Sequence, residues 1–313
     1  MNDMIITVKN LKKSYKDLPV LRGVNFTVKR GGIFALLGSN GAGKTTTVKI
    51  LSTLLTADSG EIEIDGVSIN QPKKIKEKIS LTGQYASVDE MLTGRENMDM
   101  ICDLRGVAGV ADKTQLIANL LNQFDLAKSA DRKVSTYSGG MRRKLDIAMS
   151  LIGDPTVIFL DEPTTGLDPQ SRLVLWDIIK LLAEAGTTIF LTTQYLEEAE
   201  RLADYIAILN EGTIIAEGTM EELKKSMPSN VIEFSFEDVI EMEKAVGLLK
   251  SYNVRADKDT LILAVAINDG IDQLAEILNY LTADDINVSG FEHKLPTLED
   301  VFLNLIDEKE RLA

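Results

Sequence analysis

The stretch IFALLGSNGAGKTTTVKILSTLL, Ile33 to Leu55, decides the fold. Five apolar residues lead into a glycine-rich loop, and the loop runs at once into a segment with helical apolar spacing, giving the order strand, loop, helix. Within it, GSNGAGKTT fits the phosphate-loop pattern G-x-x-x-x-G-K-[ST] and comprises Gly38, Ser39, Asn40, Gly41, Ala42, Gly43, Lys44, Thr45 and Thr46. Glycines let the backbone curl so that successive N–H groups face an anion. Lys44 reaches the outer phosphates, Thr45 offers a hydroxyl to Mg²⁺, and the helix dipole adds positive potential.

A second stretch, VIFLDEPTTGLDP, supplies the other half of a nucleotide site. Four apolar residues bury a strand, and Asp161 at its carboxyl end holds magnesium's water shell. Glu162, next to it, faces the γ-phosphate and is the candidate general base. Alone, an Asp-Glu pair after an apolar strand is an ordinary strand end; paired with the phosphate loop it reads as catalytic. In YSGGM, Ser138-Gly139-Gly140 precedes a helix. By itself this is a helix cap, but it also forms a second anion-receptive N-terminus. Two chains placed head to tail would sandwich ATP between the loop of one and the serine-glycine turn of the other.

The chain has 313 residues, 44% of them hydrophobic, which suits about two globular domains. No run approaches the ~18 consecutive apolar residues of a membrane span, and MNDMIITVKN has neither a basic nor a long apolar segment, so no span and no secretory signal are expected. The single cysteine, Cys102, fits a reducing cytoplasm and reads as a small core residue. A net charge of −14 argues against general binding to nucleic acid and against unaided docking on anionic lipid. Met141-Arg142-Arg143-Lys144 is a local basic patch or a solvated helix face.

Helical spacing dominates from about residue 85 to 155, which points to a helical subdomain inserted in an α/β core. The core resumes with TVIFLDEP and TTIFLTTQ, unbroken apolar runs that suit parallel strands buried on both faces. YIAILNEGTIIAEG reads as a hairpin. A turn-rich break at Ser226-Met227-Pro228-Ser229-Asn230 is the expected boundary between a domain of residues 1–225 and another of residues 230–313. In the latter, strands and helices alternate as in a small α+β domain of ferredoxin-like type.

In this order the motifs resemble those of the nucleotide-binding subunit of ATP-binding cassette (ABC) transporters, over residues 1 to about 225. The resemblance implies a phosphate-loop NTPase core with an antiparallel β portion and an inserted helical subdomain. It also implies that Gln84 in LTGQYASVDE ligates Mg²⁺ and links the core to the helical subdomain, that Ser138, Gly139 and Gly140 form the signature turn, and that Asp168 lies in the loop Gly166-Leu167-Asp168. Tyr15 stands where the family stacks an aromatic on adenine. Together, TGQYASVDEMLTGRENM, LTTQYLEEAE and PTLEDVFLNL look like the drug-export, daunorubicin-resistance type, and that similarity covers nearly the whole sequence. It implies an ATP-hydrolysing homodimer on the cytoplasmic face of the membrane, driving a separate membrane-embedded permease that exports a drug, antibiotic or other amphipathic compound.

One position departs from the wider family, which places a γ-phosphate-contacting histidine after the strand TTIFLTT; here Gln194 takes its place. Glutamine donates and accepts hydrogen bonds but carries neither a proton nor a charge at neutral pH. Hydrolysis is therefore expected to depend on Glu162, with Gln194 either positioning the phosphate or capping the following helix. A low-turnover ATP sensor and a soluble ABC ATPase outside transport remain the alternatives, and the cassette alone does not encode the direction of transport.

Overall fold

The computed structural model describes residues 3–107, 109–225, 230–267, 270–294, 297–303 and 305. Packing divides the chain into two units, Met1–Thr219 and Met220–Ala313. The break expected around Ser226-Met227-Pro228-Ser229 lies outside the described residues.

In chain order the first unit runs β1 (Met4–Tyr15), β2 (Leu18–Lys29), β3 (Ile33–Leu37), α1 (Lys44–Leu51), β4 (Ser59–Ile64), β5 (Val67–Ser68), α2 (Pro72–Lys78) and β6 (Ile79–Thr82). Helices α3 (Gly94–Leu104), α4 (Val110–Gln123) and α5 (Gly139–Ser150) follow, then β7 (Val157–Asp161), α6 (Pro169–Glu184), β8 (Thr188–Thr193), α7 (Leu196–Leu202), β9 (Tyr205–Asn210) and β10 (Thr213–Gly218). The strands form two sheets, an antiparallel one of order β2-β1-β4-β5 and a six-stranded one of order β10-β9-β3-β8-β7-β6. In the larger sheet β9, β3, β8, β7 and β6 run parallel, and β10 returns antiparallel on β9 as a hairpin.

Every residue of β3, β7 and β8 is buried, as their unbroken apolar runs require for strands covered on both faces. By contrast β2 alternates buried and exposed residues toward its end, so one face meets the core and the other solvent. Between the sheets Phe26 stacks on Phe34 at 5.3 Å and Phe34 on Phe190 at 5.1 Å, while Phe159 meets Phe190 at 5.4 Å. These rings lock together β2, β3, β8 and β7, which sets the carboxyl ends of three parallel strands side by side. Strand β6 was not anticipated; its four residues ISLT close the sheet edge beside β7 and are too short to show a period.

The second unit holds α8 (Met220–Lys225), β11 (Asn230–Ser235), α9 (Val239–Leu248), β12 (Asn253–Asp257), β13 (Ile262–Ile267), α10 (Gly270–Ala283) and β14 (Gly290–Lys294). From β11 onward the order is βαββαβ, and the antiparallel sheet runs β12-β13-β11-β14, the ferredoxin-like arrangement. Its core gathers Ile232, Phe234, Leu263 and Val265 of the sheet with Met242 and Ala245 of α9 and Ile277 of α10. In this unit sequence reading missed strand β12, because NVRAD is a mostly exposed edge strand with no apolar run.

Candidate active site

Three strand ends build the site, since β3 opens into the phosphate loop, β7 ends at Asp161 and β8 ends at Thr193. Ligands of open α/β sheets sit at this carboxyl edge. The loop's glycines are required by its path. A Cβ on Gly38 would fall 2.3 Å from the Leu209 carbonyl oxygen, and Gly43, with φ +112°, would drive one to 2.6 Å from Leu21 Cδ2. Gly38 N–H also donates to Thr193 O at 3.1 Å, fastening the start of the loop to the end of β8.

Lys44 is 4% exposed, and its Nζ donates to Gly38 O at 2.8 Å and Ser39 O at 3.1 Å. The same Nζ lies 3.3 Å from Glu162 Oε1. Glu162 Oε2 accepts from Gln84 Nε2 at 3.3 Å and from Thr165 Oγ1 at 3.3 Å. The residue itself is left-handed, with φ +48°, a conformation that costs a non-glycine residue about 1–3 kcal/mol and persists only where surroundings impose it. Part of that constraint is visible: Glu162 N–H donates to both the carbonyl and the hydroxyl oxygen of Thr192, each at 3.1 Å.

Asp161 Oδ1 accepts from Thr192 Oγ1 at 2.6 Å and from Thr45 Oγ1 at 3.3 Å. A carboxylate beside a threonine hydroxyl is a pair of oxygen donors of the kind a hard divalent cation prefers, and the Gln84 amide lies close by, its nitrogen on Glu162. Among the described residues no cluster of three His, Cys, Asp or Glu side chains could hold a metal alone. A cation here would draw its remaining ligands from phosphate oxygens and water.

The other expected residues lie apart from this cluster. Ser138 caps α5, its hydroxyl accepting from Met141 N at 3.2 Å. Asp168 caps α6 through Ser171, accepting from its N–H at 2.9 Å and its hydroxyl at 2.6 Å. The Ser171 hydroxyl, followed by its N–H, holds the Asp168 carboxyl below the usual carboxylate range. These two turns adjoin each other, for a Cβ on Gly140 would lie 2.8 Å from Ser171 Oγ. Tyr15 ends β1 with 46% of its surface exposed. Gln194 is half-buried; it directly follows Thr193, and the helix after it is capped at Tyr195 without any side-chain bond. Gln194 therefore does not cap α7 in this structure.

Sequence reasoning misplaced one residue and overlooked two. Arg143, read as part of a basic patch or solvated helix face, is 4% exposed. Its Nε donates to Pro163 O at 2.8 Å, Nη1 to Gly83 O at 2.5 Å and to Asp146 Oδ2 at 3.3 Å, and Nη2 to Asp161 O at 3.4 Å. Asp146, itself buried, accepts from Ser87 N at 3.2 Å through its other oxygen, and burial pushes its carboxyl up to about 6 against the pull of Arg143. The i, i+3 spacing of Arg143 and Asp146 within an otherwise apolar helix face was the available signal. Thr192 was passed over as a strand residue because its hydroxyl role is visible only once β7 lies beside β8.

Comparison with known proteins identifies the family. The family model for the ABC transporter matches residues 21–165, and that for the C-terminal domain of DrrA1-3-like ATP-binding proteins matches residues 218–306. Daunorubicin resistance ATP-binding protein DrrA3 of Streptomyces coeruleorubidus is 41% identical over 100% of this chain and 99% of its own. The daunorubicin/doxorubicin resistance ATP-binding protein DrrA of Streptomyces peucetius is 43% identical over 96% of this chain and 92% of its own. Among solved structures, a dimeric ATP-binding cassette in a post-hydrolysis state with ADP and Pi bound superposes with a TM-score of 0.62 at 26% identity, covering 68% of this chain and 98% of that one. By full-length similarity as well as by its ordered motifs, the chain belongs to the ABC transporter family, as an ATP-binding subunit of the daunorubicin-resistance type.

Proposed function

We propose that this ATPase subunit hydrolyses Mg²⁺-ATP in a site shared between two copies of itself and so drives a separate permease that exports an amphipathic drug or antibiotic. The observation that carries the reading is the convergence of Lys44, Thr45, Gln84, Asp161 and Glu162 at the carboxyl ends of β3 and β7. In this assignment the backbone from Gly38 to Thr46 cradles the phosphates while Lys44 leaves its own loop carbonyls for the outer phosphates. Thr45, Asp161 and Gln84 would hold Mg²⁺, which when bound would neutralise phosphate charge. Glu162 takes the proton of the attacking water, Gln194 orients the γ-phosphate, and Tyr15 stacks on adenine.

Ser138, Gly139, Gly140 and Asp168 act on the nucleotide of the partner copy. In support, these two turns sit together and make no polar contact with the phosphate loop among the described residues, and the solved relative above is a dimer. The unit that follows this cassette, which packing begins at Met220, is an accessory domain that stabilises the dimer or modulates the permease. A membrane partner is supported by Tyr85, Met91, Leu104 and Val110, which are 84%, 71%, 76% and 83% exposed within the expected helical subdomain. Among the described residues no helix is long and apolar enough to cross a membrane, so the span must come from elsewhere. The chain then works peripherally on the cytoplasmic face, and its acidic balance gives no reason to expect a nucleic-acid partner.

The test is affinity purification of tagged Glu162→Gln protein from detergent-solubilised native membranes with ATP present. A stoichiometric multi-span protein supports the reading. Recovery of ribosomal proteins, or of nothing, from a fraction that retains intact membrane complexes would overturn it in favour of a soluble ATPase.

A further inference from the structure

We propose that Arg143, held by Asp146, is a positioning residue that fixes both the general base and the Gln84 loop from helix α5. Its contacts are bracketing ones. Two of its acceptors, Asp161 O and Pro163 O, are the carbonyls on either side of Glu162. On the other flank Arg143 reaches Gly83 O, and its partner Asp146 takes Ser87 N–H, so the pair grips the chain before and after Gln84. Gln84 and Glu162, which meet at 3.3 Å, thus each lie between two of the four clamped backbone groups.

A planar guanidinium suits this task, because its five donors leave in a fixed fork and reach acceptors in several directions at once. Four acceptors are engaged here, three of them backbone carbonyls from two segments far apart in sequence. Glu162 needs such restraint, since its φ of +48° is unfavourable for a residue with a side chain and would relax if its flanking peptides were released. A shift of about 1 Å in a reacting group is enough to cost ~100-fold in rate. Both side chains are 4% exposed, and neither makes a hydrogen bond to the phosphate loop among the described residues, so the effect of the pair on hydrolysis passes through Glu162 and Gln84.

This inference rests on Glu162 as the general base, and the experiment separates the two. Turnover, KM for ATP, binding of a fluorescent ATP analogue and thermal midpoint are measured for the full chain, for Arg143→Met/Asp146→Leu, for Arg143→Lys and for Glu162→Gln. Replacing a buried ion pair by apolar residues of similar size preserves folding in many proteins. The double variant is therefore expected to melt near the parent and bind the analogue within about twofold, while kcat falls at least about tenfold. Should it fail to fold, Arg143→Lys carries the test: it keeps the charge facing Asp146 but cannot span four acceptors, and the same split between kcat and binding is expected. A kcat within about twofold of the parent in a folded variant, with Glu162→Gln inactive, overturns the positioning role. A kcat loss matched by an equal loss of analogue binding overturns it as well. Glu162→Gln turning over at the parent's rate would instead remove the base assignment on which the inference stands.

Discussion

Thr192→Val tests how the site holds its carboxylates before any ligand arrives. The substitution keeps the branched shape and removes one oxygen from a fully buried position, so packing changes little. That oxygen donates to Asp161 Oδ1 at 2.6 Å and accepts from Glu162 N at 3.1 Å. A hydrogen bond to a charged group contributes about 1.5–3 kcal/mol, and leaving its buried partner short of a donor costs at the upper end of that range. The second bond is worth less here, because Glu162 N retains the Thr192 carbonyl at 3.1 Å. The sum is about 2–3 kcal/mol, or roughly 5–10 °C in the melting of a domain of this size. Calorimetry of the nucleotide-free protein reads the stability, and phosphate release at saturating Mg²⁺-ATP reads the chemistry, which should slow because both Asp161 and Glu162 lose a restraint. Thr192→Ser, which restores the hydroxyl, should recover most of both. A Thr192→Val protein that melts and turns over like the parent would refute this account of the strand ends.

Further outcomes follow from the same geometry. Gly38→Ala should destabilise the cassette severely, since the new Cβ would meet the Leu209 carbonyl at 2.3 Å, whereas Gly41→Ala, at φ +83° with open space around it, should cost only about 1–2 kcal/mol; equal melting temperatures would contradict the loop geometry. Burial raises the Asp146 carboxyl from 3.8 to about 6, so the folded state holds this proton more tightly than the unfolded chain. The resulting stability is complete below pH 3.8 and is lost as pH rises through about 6, by about 3 kcal/mol. Asp146→Asn, with no proton to lose, should therefore gain on the parent across that window, and a difference in melting temperature that stays constant with pH would count against the buried carboxyl. Gln194→Ala should leave ATP binding and thermal stability unchanged, because the helix after it is capped at Tyr195 without a side-chain bond, while turnover falls; hydrolysis at the parent's rate would show that Gln194 does not position the γ-phosphate.

What the sequence revealed and what it hid divide along physical lines. The phosphate loop was legible because its glycines answer to backbone constraints that only glycine meets, left-handed φ at Gly43 and the close approach of the Leu209 carbonyl at Gly38. Strands β3, β7 and β8 were legible because burial on both faces demands unbroken apolar runs. Edge strands β6 and β12 escaped, one too short and the other too exposed to carry a pattern. Arg143 escaped for a different reason. A charged residue on a helix is by default solvated, and although Asp146 three residues on is a local sign, nothing announces that three carbonyls from distant segments will complete its surroundings. Ser138 and Asp168 show the converse limit: motif order marks them as nucleotide residues, yet within one chain each caps its own helix.

The most direct test of the central claim is phosphate release by Glu162→Gln beside the parent at saturating Mg²⁺-ATP, with bound nucleotide quantified in the same samples. The substitution preserves size and removes the carboxylate, and general-base catalysis is worth about 10²–10⁴-fold in rate. The account predicts turnover at least about 100-fold slower, with ATP still bound. Hydrolysis at the parent's rate by a folded, ATP-loaded Glu162→Gln protein would contradict it.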